Sequence, residues 1–159
     1  MTNPVRAERM RICEQFWNEL LERAQHDEGP RTRFVPQAED YVDLLTNKRG
    51  IKFCYVIREH DAEVVLVIET LKGAAMNQRA FDALMSHRAE IEEALGGSLE
   101  WAARRNTARR RVGHLIGLGG YRDRAGWLVI QEEMLRCMRR LQEAFEAHIK
   151  RLNFVPDTA

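Results

Sequence analysis

The sequence predicts an α+β domain: a mostly antiparallel sheet of about four strands with N-terminal, central and long C-terminal helices packed on it. Three observations predict it. Apolar residues recur at helical spacing near both ends of the chain. Between those ends, Ile51–Arg58 and Glu63–Glu69 alternate, and only Glu59-His60-Asp61-Ala62 joins them, which is a hairpin length. Met76–Trp101 then switches from a helical pattern through the glycine stop Gly96-Gly97 to a short strand, where Leu99 and Trp101 point the same way.

Taken in order, Asn3 can cap the first helix and Pro4 suits its first position. Cys13, Phe16, Trp17, Leu20, Leu21 and Ala24 form its apolar stripe, with Glu14, Glu19, Glu22 and Arg23 off it. Asp27-Glu28-Gly29-Pro30 ends it. Pro36 followed by Gln37–Leu45 predicts a short helix with Tyr41, Leu44 and Leu45 inward. In the hairpin, Ile51, Phe53, Tyr55 and Ile57 alternate with Lys52, Cys54, Val56 and Arg58. Val64, Leu66 and Ile68 alternate with Val65 and Val67, so this strand is apolar on both faces and belongs in the middle of the sheet.

A helix from about Asn77 to Leu95 follows, with Phe81, Leu84, Met85, Ile91 and Leu95 on one face. The strand Leu99–Trp101 and a basic link lead to a fourth strand, Arg109–Leu118, which Gly117, Gly119 and Gly120 terminate. Asp123 is the N-cap candidate for a last helix over Arg124–Leu152, about 40 Å long. Trp127, Ile130, Met134, Leu141, Phe145, Ile149 and Leu152 line its apolar face. Residues 1–159 are read as one domain, with a core over about 4–152 and a flexible tail at 153–159.

The net charge of +1 announces no bulk attraction to nucleic acid. Cys13, Cys54 and Cys137 are odd in number and far apart, which argues against a disulfide framework or a zinc ribbon and for buried free thiols. The N-terminal MTNPVRAERMRICEQ lacks the apolar core of a signal peptide, and no long apolar run could span a membrane. These readings predict a cytoplasmic protein with no membrane partner, and nothing in the sequence predicts a cofactor.

Several of these residues carry a resemblance. They are Phe16-Trp17, the strand Val64–Ile68, Asn77 with Phe81-Asp82 and Leu84, Ile91-Glu92, Gly96, Leu99, Trp101, Trp127 and the helix end Ile149-Lys150-Arg151-Leu152. From about Phe16 to Leu152 the chain resembles an uncharacterised bacterial domain of unknown function, often found C-terminal to restriction-endonuclease-like parts. The matching residues are packing residues, and no nuclease-like part is read among them. The resemblance therefore implies a leaning toward DNA metabolism or defence against foreign DNA, not DNA cleavage.

The charge is segregated. Arg104, Arg105, Arg109, Arg110 and Arg111 are clustered, Arg122 and Arg124 follow, and no acid occurs from Trp101 to Arg122. The guanidinium fork suits phosphate, and neutralising phosphates would make binding salt-dependent. The alternatives are a solvated, ion-paired link and an acidic protein partner. On a strand, Arg109 and Arg111 share one face and Arg110 takes the other.

These residues favour a non-catalytic module that binds DNA or RNA through Arg104, Arg105, Arg109, Arg110, Arg111, Arg122 and Arg124. A second reading is a protein-interaction subunit or homodimer using the long C-terminal helix, whose stripe also suits ordinary core packing. The outside reading is a metal-dependent nuclease around Asp61, Glu69 and Lys72, with Glu63 beside them. Against it, Glu69-Thr70-Leu71-Lys72 is one residue too long for an acid-x-lysine pair. None of the five histidines has a histidine or cysteine three or four residues on, so no metal site is predicted. The glycines at 113–120 match neither phosphate-loop spacing, and Ser86 and Ser98 lack a nucleophile-elbow context.

Overall fold

The side chains at alternate positions of the strands sort onto two unlike faces, and this sorting organises the molecule. In the computed structural model, which describes residues 3–29, 34–103 and 107–153, four helices and five strands follow the order α1 (Pro4–Glu28), β1 (Tyr41–Leu45), β2 (Ile51–Ile57), β3 (Ala62–Ile68), α2 (Ala74–Met85), α3 (Arg88–Leu95), β4 (Glu100–Ala103), β5 (Arg110–Ile116) and α4 (Trp127–Lys150). The strands form one antiparallel sheet in the order β1-β2-β3-β5-β4, with β3 in the middle as its two-sided apolar pattern predicts.

One phase of the strands, including Val42, Phe53, Tyr55, Val64, Leu66 and Val112, joins the helices in the main core. The other phase forms a small separate cluster of Cys54, Val65 and Val67, with Val56 against it. The described helices thus pack on one face of the sheet, and on the other charged side chains surround this small buried cluster.

Three expectations fail. Residues 41–45 form a strand, not part of a helix. Tyr41–Leu45 pairs antiparallel with β2, from Tyr41 opposite Val56 to Leu45 opposite Lys52. Val42 is inward, while Tyr41 and Leu45 are exposed. Long-range pairing overrides the weak local pattern.

The central helix is two helices, broken at Ser86-His87. Ser86 Oγ donates to the Ala83 carbonyl at 2.6 Å, and the His87 N–H bonds three residues back to Leu84. The break turns Met85 outward, while Phe81, Leu84, Ile91 and Leu95 stay buried. Beyond α3, Gly96 adopts a left-handed φ of 80° and its N–H bonds Glu92 and Glu93 carbonyls, so the predicted glycine stop is a left-handed helix cap.

Of the two expected helix caps, one holds. Asn3 accepts from the Val5 N–H at 2.9 Å and caps α1. Asp123 does not cap α4; a 3-10 turn, Arg124–Gly126, intervenes, and Asp123 accepts from the Gly120 N–H instead. Lys48, in the β1–β2 turn, donates to the Ile149 and Leu152 carbonyls at the C-terminal end of α4, where cations are favoured.

Polar ties hold the layers in register. Glu92 receives bonds from Arg88, the Leu99 N–H and the Trp101 indole. Burial alone would raise its carboxyl, but these donors outweigh it and hold Glu92 below the usual glutamate range. Buried Asn77 accepts from the Thr70 N–H and hydroxyl and donates to the Ala108 carbonyl, joining β3, α2 and the chain entering β5.

All three cysteines are free and buried. Burial pushes the Cys54 thiol up to about 12, and those of Cys13 and Cys137 to about 11. Above the ordinary thiol value of 9.0 the unfolded chain therefore loses protons that the folded chain keeps. Stability is intact below that pH and falls as pH rises, by up to about 1.4 kcal/mol per pH unit for each thiol. Buried Tyr55, also raised, adds to the fall above pH 10. Urea midpoints across this range are expected to decline, and Cys54→Ala to flatten the decline. An unchanged slope in that variant would remove Cys54 as a cause.

Candidate functional site

The alternation of β5 decides which arginines can act together. Arg110 points to the helix side and is buried; its guanidinium donates to Gln78 Oε1 at 2.6 Å and to the carbonyls of Thr107 and Arg109. It is spent on holding α2 to the start of β5. Arg111, on the opposite phase, stands on the uncovered face of the sheet, and Arg109 precedes it on the same side.

There Arg58, Arg109 and Arg111 wall a hollow of about 510 Å³, with Asp40, Tyr41, Cys54, Val56, Glu69, Ala102, Thr107 and Ala108. The hollow reaches from the β1 side of the sheet to β4 and β5. Ala102 and Thr107, which flank the stretch carrying Arg104 and Arg105, both line it. Arg104 and Arg105 themselves lie outside the described residues, as does the expected tail from 154 onward.

The electrostatics rest on Glu63. It is 3% exposed on this face, and one of its oxygens, Oε1, accepts from Arg58 and Arg111, each at 2.7 Å. Arg58 also donates to Asp61 at 3.0 Å. Gly113 makes room for this arrangement: a Cβ there would stand 2.1 Å from Glu63 Oε2. Arg109 lies 3.9 Å from Glu69 without a hydrogen bond, and both side chains are about half exposed. Of the three arginines it is the one most easily traded to another anion.

Arg122 and Arg124 are not brought to this hollow. The Tyr121 and Arg122 N–H groups bond the Arg58 and Glu59 carbonyls of the β2–β3 turn. From there the Arg122 side chain reaches Glu8 on α1 at 3.3 Å, and Arg124 lies over the Trp127 ring. Both belong to the helix layer.

The acids of the outside reading are also separated. Asp61 and Glu69 flank β3 at opposite ends, about 26 Å apart at strand rise. The apolar stripe of α4, including Ile130, Met134, Met138, Leu141 and Phe145, lies in the core of the same chain. Among the described residues no helix is long and apolar enough to cross a membrane.

A family model described as a domain of unknown function, DUF4268, matches residues 12–149. The chain belongs to this family. The match runs from within α1 to the last turn of α4, so it takes in the whole sheet and its uncovered face. No curated protein and no solved structure matches the chain significantly.

Two features escape a reading of the sequence. Glu63 looks like ordinary charge at a strand end, and only its cross-strand neighbours reveal a buried carboxylate between two arginines. His87, Glu90 and His148 meet where α3 packs on α4, and His87 and His148 lie 61 positions apart in sequence. The one local signal is the three-residue spacing of His87 and Glu90.

Proposed function

We propose that the domain binds nucleic acid, without cleaving it, through the uncovered face of its sheet, in a cytoplasmic setting of DNA processing or defence against foreign DNA. The observation that carries the reading is the hollow walled by Arg58, Arg109 and Arg111 on a sheet face that the described helices leave open. Guanidinium groups grip phosphate oxygens in pairs. Tyr41, 40% exposed on the same wall, offers a ring on which an unpaired base can stack. Acids already pair with these arginines, so the added positive charge of Arg104 and Arg105, in a stretch free of acids, matters to the reading. The setting rests on the resemblance to domains found beside restriction-endonuclease-like parts.

The test is fluorescence anisotropy of labelled single- and double-stranded DNA and RNA over a salt series. For about four neutralised phosphates, affinity is expected to fall about a hundredfold between about 50 and 200 mM salt. Arg104→Glu/Arg105→Glu/Arg109→Glu is expected to abolish binding. Arg122→Glu/Arg124→Glu, on the helix side, is expected to leave most of it. No binding at the lowest salt, or equal binding by the first variant, overturns the reading.

A further inference from the structure

The packing of α3 on α4 gathers three metal-ligating side chains far from the arginine face. His87 immediately precedes α3, Glu90 lies in its first turn, and His148 lies near the end of α4. The two imidazole rings are 4.7 Å apart at an interplanar angle of 34°. Glu90 Oε2 is 3.6 Å from His87 Nδ1 and 3.9 Å from His148 Nε2. One donor atom from each residue can be chosen so that all three lie within 4.8 Å of one another.

We propose that His87, Glu90 and His148 form a binding site for a divalent transition-metal ion of the zinc class, which staples the start of α3 to the end of α4.

The geometry is close to what such an ion needs. Ligand atoms on one tetrahedral zinc stand about 3.4 Å apart. The two carboxylate–imidazole separations exceed this by a few tenths of an ångström, within reach of side-chain rotation. The movable partners are the right ones: the His87 and Glu90 side chains are 46% and 69% exposed, whereas His148 is 7% exposed and held by packing. His148 turns its Nε2 toward Glu90, the nitrogen that would ligate the ion, while its other nitrogen, Nδ1, is buried. Two imidazoles, borderline donors, outnumber one hard carboxylate, so the set suits zinc and its neighbours better than magnesium or calcium. With two ligands facing solvent, the fourth position falls to water, as in zinc sites with three protein ligands.

The experiment is a titration of the full chain with zinc in competition with a chromogenic chelator, beside His87→Ala and Glu90→Gln. Both substitutions lie at exposed side chains and leave the core intact. One ion per chain at micromolar affinity or better is expected, weakened about tenfold or more in each variant. At one zinc concentration the thermal midpoint is expected to rise more in the parent chain than in either variant. Cobalt in place of zinc is expected to show a visible spectrum of nitrogen and oxygen ligands without thiolate charge transfer. Affinity no better than millimolar, or equal affinity in His87→Ala, overturns the proposal. The readout is independent of nucleic-acid binding, so either proposal can fail alone.

Discussion

Phe16→Ala is expected to cost about 3–5 kcal/mol of stability, enough to unfold much of a marginal domain. Phe16 is 0% exposed and its ring meets two others edge-on, Trp17 at 5.3 Å and Trp127 at 5.2 Å. It therefore loses aromatic contacts as well as transferred surface. The cavity cannot collapse cheaply, because polar ties fix its walls. The Trp17 indole donates to the Glu39 carbonyl at 2.8 Å, and buried Gln131 on α4 donates to the carbonyl of Phe16 itself while accepting from Arg23 on α1. Phe16→Leu, which keeps much of the volume, is expected to recover a large part of the loss. Urea denaturation of the three chains checks both. A loss below about 1 kcal/mol for alanine would mean that the α1–α4 contact contributes little to the folded state.

Phe16 also shows why this part of the fold is legible in sequence. Its stripe on α1 repeats at helical spacing and the stripe of α4 does the same, so two helices that share a core can be read independently. The β2–β3 hairpin is equally plain, because a four-residue link leaves few alternatives and β3 is apolar on both faces. The strand β1 is not plain. Tyr-Val-Asp-Leu-Leu suits a helix turn or a strand, and what decides is its pairing with β2, a contact outside its own segment. The break at Ser86-His87 is hidden for a similar reason, since the residues on either side keep a helical pattern.

The site divides along the same line. Alternation separates Arg110 from Arg109 and Arg111, and the sequence shows that much. It does not show that Arg122 and Arg124 turn toward the helix layer, or that Arg58 joins the cluster from the β2–β3 turn. Those facts depend on which strands are neighbours, and the order β1-β2-β3-β5-β4 is set by the whole chain.

Gly113→Ala is expected to destabilise the protein by about 2–4 kcal/mol although it adds one methyl group to a strand. The backbone is no obstacle, since Gly113 is not among the glycines with positive φ. The obstacle is Glu63, whose Oε2 would lie 2.1 Å and Cδ 3.0 Å from the new Cβ. A carboxylate at the end of a free side chain would swing aside. This one is buried and takes hydrogen bonds from Arg58 and Arg111, so displacing it leaves two guanidiniums on one sheet face without their shared anion. Arg58 is 42% exposed and can turn to water, which keeps the cost below that of a fully buried pair.

Glu63→Ala is expected to cost a similar amount, for the same lost contacts. The informative chain is the double variant. With the carboxylate gone, the methyl of Gly113→Ala meets open space, so the two losses should not add, and a coupling of about 2 kcal/mol is expected. Additive losses would show that Gly113 is required for something other than room for Glu63. Glu63→Gln then separates charge from shape: it keeps the side-chain volume and leaves the arginines without their anion. If the uncovered face binds polyanions, this variant is expected to bind nucleic acid more tightly and with a steeper salt dependence, because Arg58 and Arg111 are released to phosphate. Weaker or unchanged binding by a folded Glu63→Gln protein would restrict the two arginines to a structural role.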